Sequence, residues 1–240
     1  MINIKRIFSV FILAGITLLP FSGAVQAAEK FKPFVLAFKG PADFDAKVDE
    51  TRDKLTAEGF RVIGEYTPYE GVHVDKAHII IVTNDELIKV AGMSEMGGFA
   101  APWRIGITKV GDEVQVAYPN PVYIAKAYHL KTDLEGVSDA LRRSLGAVET
   151  FGSRKGLSAR KLRKYHYTFG MEYFDDVYDL AEYDSHKEAV AVLEKNLAAG
   201  VAGVTKVYRL DLPKGGTVFG VARKVQEGGN EAMDDAWIMG

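Results

Sequence analysis

Two runs of strict alternation, joined by a four-residue turn, limit the fold of this chain more than any other feature. Trp103, Ile105 and Ile107 recur at every second position, as do Val114, Val116 and Tyr118, with Val110-Gly111-Asp112-Glu113 between them. A period of two puts each set on one face of a strand, so the stretch predicts an antiparallel hairpin with one apolar face. That face needs a cover. Pro121 suits the first turn of a helix and Asn120 is placed to cap it, so the hairpin is expected to run straight into a helix.

Upstream, Val35 to Phe38 reads as a strand, and Phe44, Val48 and Leu55 mark the apolar face of a helix that Gly59 stops. Phe60 to Tyr66 is a second strand. Ala77 to Val82 is apolar except for His78, as at a sheet centre. Asn84 should cap a short helix over Glu86 to Met93, and Pro121 to His129 and Asp133 to Leu145 are expected to be helical.

The second half repeats this order. Leu180-Ala181 ends an expected strand, Ser185 and Glu188 form a capping box, and Ala189, Val192, Leu193 and Leu197 supply a helical face. Gly203 opens a strand, Thr217 to Arg223 follows the Lys214-Gly215-Gly216 turn, and Asn230 is expected to cap a helix towards Met239. Leu36-Ala37 and Gly59 map onto Leu180-Ala181 and Gly203 at an offset of 144; Asn84 and Met93 map onto Asn230 and Met239 at 146. The spacings predict an internal duplication, against chance agreement of two common patterns. On that alignment Gly240 falls level with Ser94, ahead of a second hairpin. Either the natural protein continues for about 50 residues, or a partner completes the second copy.

Residues 1–27 have the form of a secretory signal: Lys5 and Arg6, an apolar run from Ile7 to Phe21, and Val25-Gln26-Ala27 at the cut. Its removal leaves 28 basic against 32 acidic residues, a balance that speaks against a nucleic-acid partner. The chain is expected in the periplasm, with no membrane span after cleavage. The absence of cysteine excludes disulfides, thiolate metal sites, thiol catalysis and covalent c-type haem.

Between the copies lies a basic and aromatic segment, residues 152–176. Arg154, Lys155, Arg160, Lys161, Arg163 and Lys164 precede Tyr165, Tyr167, Phe169, Tyr173 and Phe174. One reading makes Arg160, Lys161, Arg163 and Lys164 a docking surface for an acidic protein partner or lipid headgroups. The other is a solvated face with its aromatics packed between the two units.

The hairpin, with Pro102 and Arg104, the Gly-Asp turn and the ending Val116-Ala117-Tyr118-Pro119-Asn120-Pro121, resembles the domain of unknown function 302 family. The resemblance covers roughly residues 34–145 and reaches the second half only through the repeat. It implies a small α+β domain and no particular activity.

No catalytic constellation stands out. The five histidines lack the i, i+4 or His-x-His spacing of a metal pair, no Gly-x-Ser-x-Gly elbow appears, and the Gly-Gly loops lack the phosphate-loop pattern. The candidate ligand-binding residues are Arg104, beside Gly106 on the polar face of its strand, with Tyr118, Asn120 and His129. Each has a plainer alternative: a surface arginine, a core tyrosine, a helix cap and a helix-end histidine. An axial ligand for non-covalent haem needs only one His or Met, so His129 with Met93 or Met96 keeps a haem or metal redox accessory in view.

The expected architecture is α+β: two related two-layer units, 28–151 and 177–240, each with helices on one face of a small, mostly antiparallel sheet. The expected function is a non-catalytic periplasmic module for a small anionic ligand or an acidic partner. The cofactor is unknown, and a homodimer is one assembly this leaves open.

Overall fold

A computed structural model of the chain describes residues 29–68, 74–166, 168–174, 176–224 and 231–238. The expected signal and His73 lie outside the described residues. In chain order the elements are β1 (Lys30–Phe31), β2 (Phe34–Pro41), α1 (Phe44–Ala57), β3 (Arg61–Tyr66), β4 (Lys76–Thr83), α2 (Asp85–Ala91), β5 (Trp103–Val110) and β6 (Glu113–Pro119). There follow α3 (Pro121–Ala127), α4 (Glu135–Leu145), β7 (Glu149–Phe151), β8 (Leu157–Ser158), α5 (Ala159–Leu162), α6 (His186–Ala198), β9 (Val204–Asp211), β10 (Thr217–Lys224) and β11 (Glu231–Ile238). The fold is α+β.

β5 and β6 are the hairpin that the alternation requires, and they lie in a six-stranded antiparallel sheet of order β3-β4-β5-β6-β2-β7. Trp103, Ile105, Ile107, Val114, Val116 and Tyr118 all face the helices, where Phe44, Val48 and Leu55 of α1 and Val137, Ala140 and Leu141 of α4 cover them. The starts of α1 and α2 are set by side chains. Asp43 accepts from the Ala46 amide at 2.8 Å, and Asn84 from the Leu87 amide at 2.9 Å. β4 lies between two strands and is buried on both faces, Ile80 and Val82 under the helices and Ile81 on the far side, which explains its unbroken apolar run.

That far face is covered by a second, three-stranded antiparallel sheet of order β11-β10-β9. Tyr208, Leu210, Leu212 and Val218 close over Ile81, Ala91 and Ala101. The backbones approach so nearly that a Cβ on Gly64 would stand 2.9 Å from the Val207 carbonyl oxygen, so this strand position tolerates no side chain.

Two expected elements are corrected. Leu180-Ala181 belongs to no strand; residues 176–184 have no regular structure and Leu180 is exposed. The expected helix towards Met239 is instead strand β11, paired along its whole length with β10 from Glu231↔Lys224 to Ile238↔Thr217. Both halves share a helix followed by an antiparallel pair, α1–β3–β4 and α6–β9–β10, and diverge after it.

The basic and aromatic segment lies against α3. Leu162 is buried with Tyr123 and Ala127, and Phe174 stacks on Tyr165 at 5.7 Å while meeting Tyr123 and Tyr128 edge-on. Of its aromatics, Phe174 and the Tyr165 stacked on it thus lie against a helix of the first region, Phe169 and Tyr173 are exposed, and Tyr167 lies outside the described residues. Among the described residues no helix is long and apolar enough to cross a membrane.

Candidate functional site

The pairing of β7, β2 and β6 places Thr150, Val35 and Tyr118 in one lateral row, because Val35 is in register with both neighbours. α4 stands over that row. Ser138 and Arg142, four residues apart, project on the same side of the helix. At Gly146 (φ 94°) the chain turns back, close enough that a Cβ would press to 3.0 Å on the Ala37 carbonyl oxygen. The Val148 amide then donates to the Leu36 carbonyl at 2.7 Å and starts β7. Between helix and strands this leaves a hollow of about 290 Å³, lined by Val35, Tyr118, Asn120, Ser138, Arg142, Ala147, Glu149 and Thr150. Its size is near the lower bound for small-molecule sites.

Tyr118 forms the floor. Only 2% exposed, it donates its hydroxyl to the Gly146 carbonyl at 3.0 Å. Burial pushes its pKa up to about 12, while the positive charge of Arg142 acts in the opposite direction. The phenol is therefore a fixed neutral donor at physiological pH. Arg142 itself is exposed, and its guanidinium has no ion-pair or hydrogen-bond partner among the described residues. Its neighbour Arg143, by contrast, donates through Nε to Glu58 at 2.8 Å. A second, smaller hollow of about 40 Å³ carries Lys47 and Lys54, but both are engaged by Glu50 at 2.6 Å. The larger groove alone of these two offers an unneutralised cation.

Of the residues picked out from sequence, Tyr118 and Asn120 line this groove. Asn120 stands at the helix start, yet its side chain does not cap; Nδ2 donates to the Lys32 carbonyl at 3.0 Å and ties down the entering chain. Arg104 is half-buried on the opposite face of the sheet, in register with Ile81, and does not line the groove. His129, left-handed at φ 53°, also lies outside it. Its Nε2 donates to the Arg163 carbonyl at 3.1 Å, so that nitrogen holds the basic segment in place. Arg160, Lys161, Arg163 and Lys164 are all exposed.

Sequence reasoning missed Ser138, Arg142, Glu149 and Thr150. The only available signal was the i, i+4 pair on the rim of an amphipathic helix. It also missed a charged cluster under α1. Arg52 donates through Nε and Nη2 to Glu65 at 2.8 and 2.9 Å, and His78 Nε2 lies 2.7 Å from the same carboxylate. The Arg52 guanidinium, ahead of His78, holds Glu65 below the usual carboxylate range. Among the described residues no group of three His, Asp or Glu side chains is arranged to hold a metal ion.

No family model matches the chain, and no curated protein matches it. Among solved structures it is similar to the uncharacterized conserved protein DUF302 from Bacillus stearothermophilus, with 16% sequence identity, a TM-score of 0.40, and coverage of 45% of this chain and 94% of that one. That protein is of the same family that the hairpin residues resemble.

Proposed function

We propose that this chain is a non-catalytic binding module, exported to the periplasm, which takes a small ligand bearing an anionic group in the groove beneath α4. The observation that carries this reading is Arg142, a guanidinium with no ion-pair partner among the described residues, at a groove whose lining also holds Thr150, Ser138, Asn120 and the Glu149 carboxylate. A guanidinium offers paired N–H donors that match a carboxylate or phosphate edge. Thr150, Ser138 and Asn120 add neutral polar groups, and Val35 gives an apolar patch for the remainder of the ligand. Export is supported by the leader-like residues 1–27.

The test is titration calorimetry with acetate, benzoate and inorganic phosphate as probes. Saturable binding of at least one is expected, weakened by roughly tenfold or more in Arg142→Gln, since a hydrogen bond to a charged group contributes about 1.5–3 kcal/mol. The variant should melt with the parent, because the Arg142 side chain has no hydrogen-bond or ion-pair partner among the described residues and its carbonyl, which accepts from the Gly146 amide, is unchanged. Absence of saturable binding, or equal binding by Arg142→Gln, overturns the assignment.

A second surface serves an acidic partner. It is formed by Arg160, Lys161, Arg163 and Lys164, and is favoured because their charged groups, all exposed, have no carboxylate within ion-pair distance among the described residues.

A further inference from the structure

Residues 154–164 hold six Lys and Arg and no acid; residues 172–184 hold six Asp and Glu and no Lys or Arg. The fold sets the two runs side by side. A bridge between His166 and Tyr173 turns the chain back on itself, and the Tyr165–Phe174 stack fixes the turn against α3. Yet the runs do not neutralise one another: among the described residues no ion pair joins them or involves a charged side chain of either. The acidic run and the residues leading into it also carry the most exposed apolar side chains of the described surface, Phe169 at 97%, Leu180 at 83% and Tyr178 at 75%. A stretch of this kind on a soluble chain marks a contact surface.

We propose that the acidic partner is a second copy of this chain, with each copy's basic run seated on the other's acidic, aromatic run in a two-fold dimer. This rests on the reading of the basic residues as an acidic-partner surface. A two-fold arrangement is self-complementary, so each patch meets its complement twice and nothing is left to propagate. No other single partner is required to match both runs. The chemistry agrees beyond the sign of charge. Lys and Arg stems cover apolar surface while their heads stay in water, and guanidinium groups seat on the faces of Tyr and Phe. Charge then sets register and rate of encounter, and the covered aromatics hold the pair together.

Sedimentation velocity on the full chain reads this directly. A dimer is expected at about 0.02 M salt and a monomer at about 1 M, where exposed charges are screened within about 3 Å. Asp179→Lys/Glu182→Lys/Asp184→Lys and Lys161→Glu/Arg163→Glu/Lys164→Glu should each be monomeric at low salt with unchanged melting; Asp176 is left in place because its carboxylate accepts from the Tyr173 amide at 2.7 Å and holds the turn. Mixed in equal amounts they should associate, since the intact basic run of one then meets the intact acidic run of the other, whereas each reversed run, three charges of either sign, carries no net charge. A wild-type chain that is monomeric at low salt overturns the proposal, as does a dimer that survives in both variants or a mixture that does not associate. Fluorescence titration with a poly-glutamate peptide separates the two levels: binding by a monomeric wild-type chain retains an acidic partner and removes self-association, and no binding by it removes both.

Discussion

The two sheets of this molecule reach stability by different routes. In the six-stranded region, helices α1 and α4 close one face, and Leu55, Ile80, Ile105, Ile107, Val114 and Leu141 are wholly shut off from solvent. In the three-stranded region, α6 buries only Ala189 and Val190. The buried residues Tyr208, Leu210, Leu212 and Val218 find their partners on the back of the first sheet. One region has its own core; the other also buries Phe219 and Ala222 outside that shared cluster, but places Tyr208, Leu210, Leu212 and Val218 on a neighbour. Similar local order, a helix followed by a strand pair, therefore does not imply similar independence. What decides is where the apolar faces are covered.

The comparison can be broken most forcefully at its strong end. Ile105→Ala empties a closed site and should cost about 2–5 kcal/mol, lowering the thermal midpoint of the whole chain. A loss confined to β9–β11 would reverse the hierarchy. Gly64→Val forces the two backbones apart and should cost about 1–3 kcal/mol, with the damage limited to the second region. Hydrogen exchange should then speed up in α6, β9 and β10 while β4 and β5 stay protected. Tyr118→Phe removes one hydrogen bond from beneath the groove and should cost about 1 kcal/mol, measured by denaturant unfolding, without moving the second region at all.

The smallest effect is one of pH. Glu65 is held low in the folded state, chiefly by Arg52, against about 4.3 in an unfolded chain. Its contribution is therefore present above the unfolded value and is lost as pH falls through the folded one. Unfolding free energies measured across that acidic range should decline less steeply in Arg52→Gln than in the parent. An identical acid limb would show that the cluster adds nothing to the first region.

Much of the first region is legible in its sequence because period, cap and turn agree there. The hairpin alternates from Trp103 to Ile107 and from Val114 to Tyr118, and Asp43 and Asn84 both make the capping bonds their positions imply. The second region misleads for a physical reason. Glu231 to Ile238 follows an asparagine and begins with an acid, signals of a helix start, yet the ladder offered by β10 overrides them. The groove was half visible. Tyr118 and Asn120 belong to the hairpin and could be picked out, but the row Thr150–Val35–Tyr118 exists only once strands distant in sequence lie together. Arg142 is indistinguishable from Arg143 in the sequence, since only packing shows that one is engaged by Glu58 and the other is not.

At one end the six-stranded sheet terminates in β7, three exposed residues that pair only with Phe34 to Leu36. Gly152 then swings the chain away, in a bend where a methyl group would strike Pro33 and Phe34. At the other end of its partner strand β2 sits Pro41, which has no amide hydrogen to give. So abbreviated a border offers an incoming strand almost no template at this end. Backbone pairing with an incoming strand through β7 itself is limited to three residues.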